Sequence, residues 1–181
     1  MTTECDKVLG FWTVGLQYLH MVQAVANETC SQGNKHCIIS DNPISSEQYM
    51  EDTKWSDHNL VIPLLFNFYH GLEVIMKGFL TVKHPNTRFS HKLTELLNEL
   101  NIEYGENKLY ETVEKYINQD SLPEIISDFL TKSDLSIDLY YQSLKYSETT
   151  QGNQIYHHPL KYRGEEGVDF FKNLHDDIEQ L

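Results

Sequence analysis

Residues 67–80 read NFYHGLEVIMKGFL. Phe68, Tyr69, Leu72, Met76 and Phe79, with Leu65 just upstream, recur at helical spacing and form one broad apolar face. Gly71 and Gly78 lie on roughly the opposite side, where a second helix can approach closely. Glu73, Lys77, His70 and Phe66 share the flank between these two faces. A helix wrapped on several sides cannot release all of its charges to water. Glu73 precedes Lys77 by four residues, the favourable orientation for a pair within one helix. Buried charges normally persist only when paired. The plain reading is therefore mutual neutralisation at the edge of a core, and the sharper one is a functional acid–base site.

Around this stretch the chain resolves into further helices. The central helix is capped by Asp57 or Asn59, tolerates Pro63 near its first turn and runs to about His84. KHPNTRF breaks it, Ser90 caps SHKLTELLNEL, and Gly105 stops that helix. NKLYETVEKYI places Leu109, Val113 and Ile117 on one stripe. A longer helix is expected from about Asp120, carrying Ile126, Phe129, Leu130, Ile137, Tyr140 and Leu144. Upstream, Val8, Phe11, Trp12, Gly15, Leu19, Val22 and Ala26 predict a helix over about 6–27, followed by the long loop NETCSQGNKHCIISDNPISS. SETTQGNQIYHHPLKYRGEEG has no helical period and reads as an irregular late loop or small hairpin. GVDFFKNLHDDIEQL closes the chain as an amphipathic helix. Six helices without repeats predict an all-α, up-and-down bundle in one domain over 1–181: an N-terminal helix and loop (1–54) and a core bundle (55–181).

Charge narrows the function classes. Fourteen Lys and Arg stand against 27 Asp and Glu, a net charge of −13, and Arg88 and Arg163 are the only arginines. Sequence-independent gripping of duplex nucleic acid requires many phosphate-facing cations and is not expected on this balance, which leaves room for a local basic pocket. A basic protein partner suits the sign better. Apolar runs such as LVIPLLFNF (60–68) fall short of a bilayer span, and MTTECDKVLGFW lacks the pattern of a signal peptide, so no membrane contact is expected. Three cysteines at 5, 30 and 37 make no disulfide framework and suit a reduced, cytoplasmic setting.

Cys30, His36 and Cys37 lack the second half of a zinc site, so they read as a free-thiol loop; no metal and no cofactor is expected. Tyr156, His157, His158, Lys161, Tyr162 and Arg163 form the most cationic and aromatic patch. It is suited to stack a base and hold a phosphate, or else to brace the last helix. His91, one residue past a helix cap, sits where the helix dipole disfavours its protonation and reads as a neutral hydrogen-bonding imidazole. His175 reads as an edge residue, and GEEG and HDDIEQL as solvated acidic faces.

Three separated pieces share a pattern: Glu73 with Lys77, His91 with Leu93 in RFSHKLTELL, and Tyr162 with Arg163 before the last helix. Over roughly residues 55–181 the chain resembles the HEPN superfamily (higher eukaryotes and prokaryotes nucleotide-binding). The resemblance implies an up-and-down helical core, often dimeric, in proteins tied to RNA cleavage, nucleotide handling, toxin–antitoxin pairs and phage defence. Its ribonuclease members carry an Arg and, four to six positions later, a His. Here His91 follows Arg88 too closely and His175 follows Arg163 too distantly, so the strict motif is absent and a catalytic role carries over to no residue.

The expectation is a HEPN-like protein that acts by binding, as a homodimer or with a protein partner, with local nucleotide or RNA contact. Its binding surface is expected to join Glu73, Lys77 and His91 with His157, His158, Lys161, Tyr162 and Arg163. Two alternatives stand beside it. One is an endoribonuclease with a rearranged pair, Arg163 for phosphate charge and His91, His157 or His158 as proton carrier. The other is an acidic phage-type inhibitor that imitates nucleic acid.

Overall fold

The computed structural model describes residues 4–181, and the chain over that range is all-α. The elements are α1 (Glu4–Ser31), α2 (Ser46–Thr53), α3 (Asp57–Lys83), α4 (Leu93–Tyr104), α5 (Lys108–Ile117), α6 (Glu124–Ser133), α7 (Tyr140–Ser143) and α8 (Gly164–Ile178). Short 3-10 turns cover Ile137–Leu139 and His158–Leu160. The buried apolar side chains form one contiguous cluster, with α3 at its centre and contributions from α1 and from α4 through α8.

α1 lies along α3, and three glycines set how close the two helices come. A methyl group built on Gly71 would meet Leu19 at 2.9 Å, and one on Gly78 would meet the Trp12 ring at 2.6 Å. From the other side, a methyl on Gly15 would meet Ile75 at 2.7 Å. The glycine side of α3 is thus the close-approach face expected from its sequence, and α1 is an integral layer of the bundle. By length and composition alone α3 is apolar enough to cross a membrane, although most of that window is buried inside the protein.

The ends of α1 and α4 prepare the sites described below. α1 closes with Gly33 and Asn34, both in the left-handed region, as Asn34 N donates back to the Thr29 carbonyl at 3.0 Å. That closure turns the Asn34 side chain toward the start of α3. α4 begins at Leu93, later than expected. Ser90 caps only the Lys92 amide, while Asp138 receives the Thr94 backbone N–H at 2.9 Å and the Thr94 hydroxyl at 2.7 Å. A carboxylate 44 positions away in sequence thus does the work of a local cap.

Three expectations change. The long helix from Asp120 to Leu144 divides into α6, a 3-10 turn and α7, because Asp134 adopts φ +51° and the chain turns to bring Asp138 over α4. The loop after α1 contains α2, whose Ser45 caps the Gln48 amide. The cap of α3 is Ser56, and Asp57 instead binds partners far away in sequence. The late loop makes a single antiparallel bridge, Glu148 to Gln154, around Gly152 at φ +82°.

Candidate functional site

Glu73 is 4% exposed, and every oxygen of its carboxylate is engaged. Lys77 Nζ donates to Oε1 at 2.8 Å, one helical turn away on the same flank of α3. His91 Nδ1 lies 2.9 Å from the same oxygen, carried there by the segment leading into α4. The Tyr140 hydroxyl, from the first residue of α7, donates to Oε2. Burial by itself would raise the Glu73 pKa. The hydrogen bonds from Lys77, Tyr140 and His91, with the Lys77 charge, overcome that and hold the carboxyl below its ordinary value.

The geometry selects a tautomer for His91. Lys77 Nζ also lies 3.2 Å from Nδ1, but an ammonium only donates and the carboxylate only accepts. With Glu73 ionised, the arrangement that satisfies both places the His91 proton on Nδ1, pointed at Oε1 beside the Lys77 donor. In the neutral imidazole, Nε2 then carries the lone pair. The His91 side chain is 85% exposed, so that lone pair faces outward while its partner is buried. A carboxylate orienting an exposed imidazole is an arrangement able to accept a proton or a hydrogen bond.

The recess in front of this group holds about 490 Å³ and is lined by His70, Glu73, His91, Asp138, Tyr141 and Gln142, among others. His70 Nδ1 is buried and has no hydrogen-bond partner among the described residues, and the ring packs edge-on to Tyr18 at 4.7 Å. Among the described residues, the cations at this recess are paired: Lys77 is held by Glu73, and Lys92 by Glu95 at 2.7 Å. The recess therefore offers acceptors and ring faces rather than a phosphate cradle.

Arg163 and Tyr162 are not part of this recess. Their backbone N–H groups donate to Asp57 at 2.8 and 2.9 Å, at the first residue of α3. Glu73 is 16 residues further along the same helix, about 24 Å at 1.5 Å per residue. The Arg163 guanidinium binds Asp128 at 2.9 Å and also Glu166. The expected joining of Glu73, Lys77 and His91 with Tyr162 and Arg163 therefore does not occur, because those two residues close the far end of α3.

The rest of the late patch is engaged only in part. His157 Nε2 lies 2.5 Å from the Ser143 carbonyl, and its ring stacks on Phe129. His158 is exposed and packs edge-on to Tyr156, while Lys161 is half-buried. Tyr162, at φ +61°, stacks on His58 at 4.7 Å and meets His36 edge-on at 5.3 Å.

Asp57 was read from the sequence only as a cap. It is fully buried and accepts from Tyr162 N, Arg163 N and Asn34 Nδ2, while its own N–H donates to Asn34 Oδ1 at 2.6 Å. Tyr140 was read only as a core residue of a longer helix. Neither role has a local signal, since each depends on a partner distant in sequence. Among the described residues, the grouping compatible with a metal ion is His175, Asp176 and Glu179 on the rim of the last helix, not Cys30, His36 and Cys37; all three cysteines are free.

No family model, curated protein or solved structure matches this chain.

Proposed function

We propose that this chain is a HEPN-like helical binding protein of a prokaryotic or phage conflict system, cytoplasmic, that holds its ligand or partner at the Glu73–His91 recess and does not cleave it. The observation that carries this reading is the coupling of a buried, fully bonded carboxylate to an imidazole that is 85% exposed. Such a pair presents one oriented acceptor to whatever enters. With His70 and Tyr141 beside it, the recess suits a neutral donor group, such as the edge of a base or a hydroxyl or amide of a protein partner. An association through protein surfaces is supported by α1. Residues 8–27 contain no Asp, Glu, Lys or Arg, and Leu9, Val14, Leu16 and Met21 are exposed along that run.

Cleavage is disfavoured by the position of Arg163, about 24 Å along α3 from the Glu73 recess and bound by two acids. The other arginine, Arg88, is not among the residues that line the recess, so no guanidinium lines it to stabilise phosphate charge opposite His91. The acidic-mimic alternative retains the net charge of −13 as its support.

The test is titration of nitrogen-15-labelled protein with adenosine, guanosine and a short RNA, alongside incubation with total RNA. Resonances of His70, His91 and Gln142 are expected to move with at least one probe, and the shifts are expected to vanish in His91→Ala. RNA is expected to remain intact. Cleavage that disappears in His91→Ala would replace the binding reading with the ribonuclease one. Sedimentation of the protein alone reports whether α1 brings two copies together.

A further inference from the structure

A second cavity, of about 580 Å³, lies between α4, α5 and α6 and stands apart from the reading of the Glu73 recess. Its floor is aliphatic: Leu97, Ile117, Leu130 and Ile137 are each less than a tenth exposed. Its rim carries Asn98, Asn101, Gln119 and Ser127, whose side chains make no hydrogen bond inside the described chain. Asn98 and Gln119 are exposed and Asn101 and Ser127 half-buried, so a neutral polar rim open to a ligand surrounds an apolar floor.

The electrostatics select the ligand's sign. Among the described residues, no Lys, Arg or His lines the cavity, whereas Glu114 and Asp134 do. Glu114 is bonded only by neutral groups: the Tyr110 hydroxyl at 3.2 Å and Asn118 Nδ2 at 3.1 Å, both to Oε1. Neither carboxylate has a salt bridge among the described residues. Ile117 and Asn118 end α5, and Leu130, Thr131 and Asp134 end α6, so the negative ends of two helix dipoles reach the same wall. Two carboxylates and two helix C-termini around one cavity repel phosphate and attract a cation, and the aliphatic floor requires that cation to carry an apolar stem.

We propose that this cavity binds an organic cation: an alkylammonium or guanidinium group on a short aliphatic stem. Two sources supply that chemistry, a free polyamine and the lysine or arginine side chain of a peptide. The amide rim receives the remaining donors of either.

The experiment is calorimetric titration at low salt with two probes, spermidine and an end-blocked Lys-Leu-Lys tripeptide. It is run on the native protein, on Glu114→Gln/Asp134→Asn, and on the charge-matched control Asp41→Asn/Glu165→Gln, whose positions are exposed and outside the cavity. Asparagine tolerates the left-handed backbone at 134, so the cavity variant keeps its fold. Saturable binding of at least one probe is expected, weakened tenfold or more in the cavity variant and twofold or less in the control. Tighter binding of spermidine assigns the free polyamine, and tighter binding of the tripeptide assigns the peptide side chain. Asn98→Trp, at an exposed rim position, fills the cavity without removing charge and is expected to abolish binding as well. Equal weakening in the cavity and control variants, unchanged binding in Asn98→Trp, or no saturable binding of either probe to the native protein overturns the proposal.

Discussion

Two carboxylates on α3, Asp57 and Glu73, are both buried, yet they are satisfied in opposite ways. Asp57 accepts from two backbone N–H groups and an Asn34 amide, all of them inside the protein. Glu73 accepts from three side chains, Lys77, His91 and Tyr140, and one of these is almost fully exposed. Backbone donors cannot rotate away, so the Asp57 arrangement is a clasp. Side-chain donors can exchange partners, and His91 presents its second nitrogen to the surface. Burial alone therefore does not separate a structural acid from a functional one; the nature and exposure of its donors does.

Removing the clasp is expected to have the largest effect. Asp57→Ala leaves two amides and Asn34 without an acceptor and is expected to cost about 3–5 kcal/mol. Denaturant melts measure the loss, and faster amide exchange at Tyr162 and Arg163 locates it. A loss comparable to that of a surface substitution would erase the distinction between the two acids.

Glu73→Ala is expected to cost less, about 2–3 kcal/mol. Lys77 is then left buried without an anion, but water reaches its His91 side. Adding Lys77→Met is expected to restore part of that stability, because it removes the stranded charge. A double-mutant cycle checks the coupling, and strictly additive losses would mean that the pair is not coupled.

Acid provides a subtler probe. The native Glu73 pKa is depressed below its unfolded value, so its contribution is complete above the unfolded pKa of about 4.3 and is lost as pH falls through the native pKa. Urea melts at pH 7 and pH 3 are expected to show a smaller acid loss in Glu73→Gln than in the native protein. Identical acid losses would show that the depression is not stabilising.

His91→Ala is expected to change stability least, within about 0.5 kcal/mol, since the side chain is largely solvated. It is nevertheless expected to abolish ligand-induced shifts in the recess. A melting temperature that falls with binding would make His91 a second clasp residue.

Much of α3 was legible because its signals are local. The Gly71 and Gly78 spacing exposed the face that α1 occupies, and the four-residue step from Glu73 to Lys77 exposed the pair. His91 was read as the residue after a Ser90 cap, but the helix begins at Leu93, so His91 lies in the segment that leads into it. The Tyr140 bond to Glu73 spans 67 positions and the Tyr162 bond to Asp57 spans 105, so neither leaves a trace in any short window. The same limit explains the split of the expected helix at Asp134: the residues on either side keep a helical stripe, and the demand that Asp138 cap α4 comes from tertiary structure. Arg163 was assigned to the recess from a pattern of residue types, which carries no distance along the helix.

The clasp also imposes an order on biosynthesis. The first turn of α3 is made well before two of the donors to its acid, which come from Tyr162 and Arg163, 105 and 106 positions later. A nascent chain that lacks them holds the beginning of its central helix open, with an unsatisfied charge where the interior should close. Native burial at this end is thus deferred until those later residues have been made, whereas the Glu73–Lys77 pair can form as soon as the helix itself does.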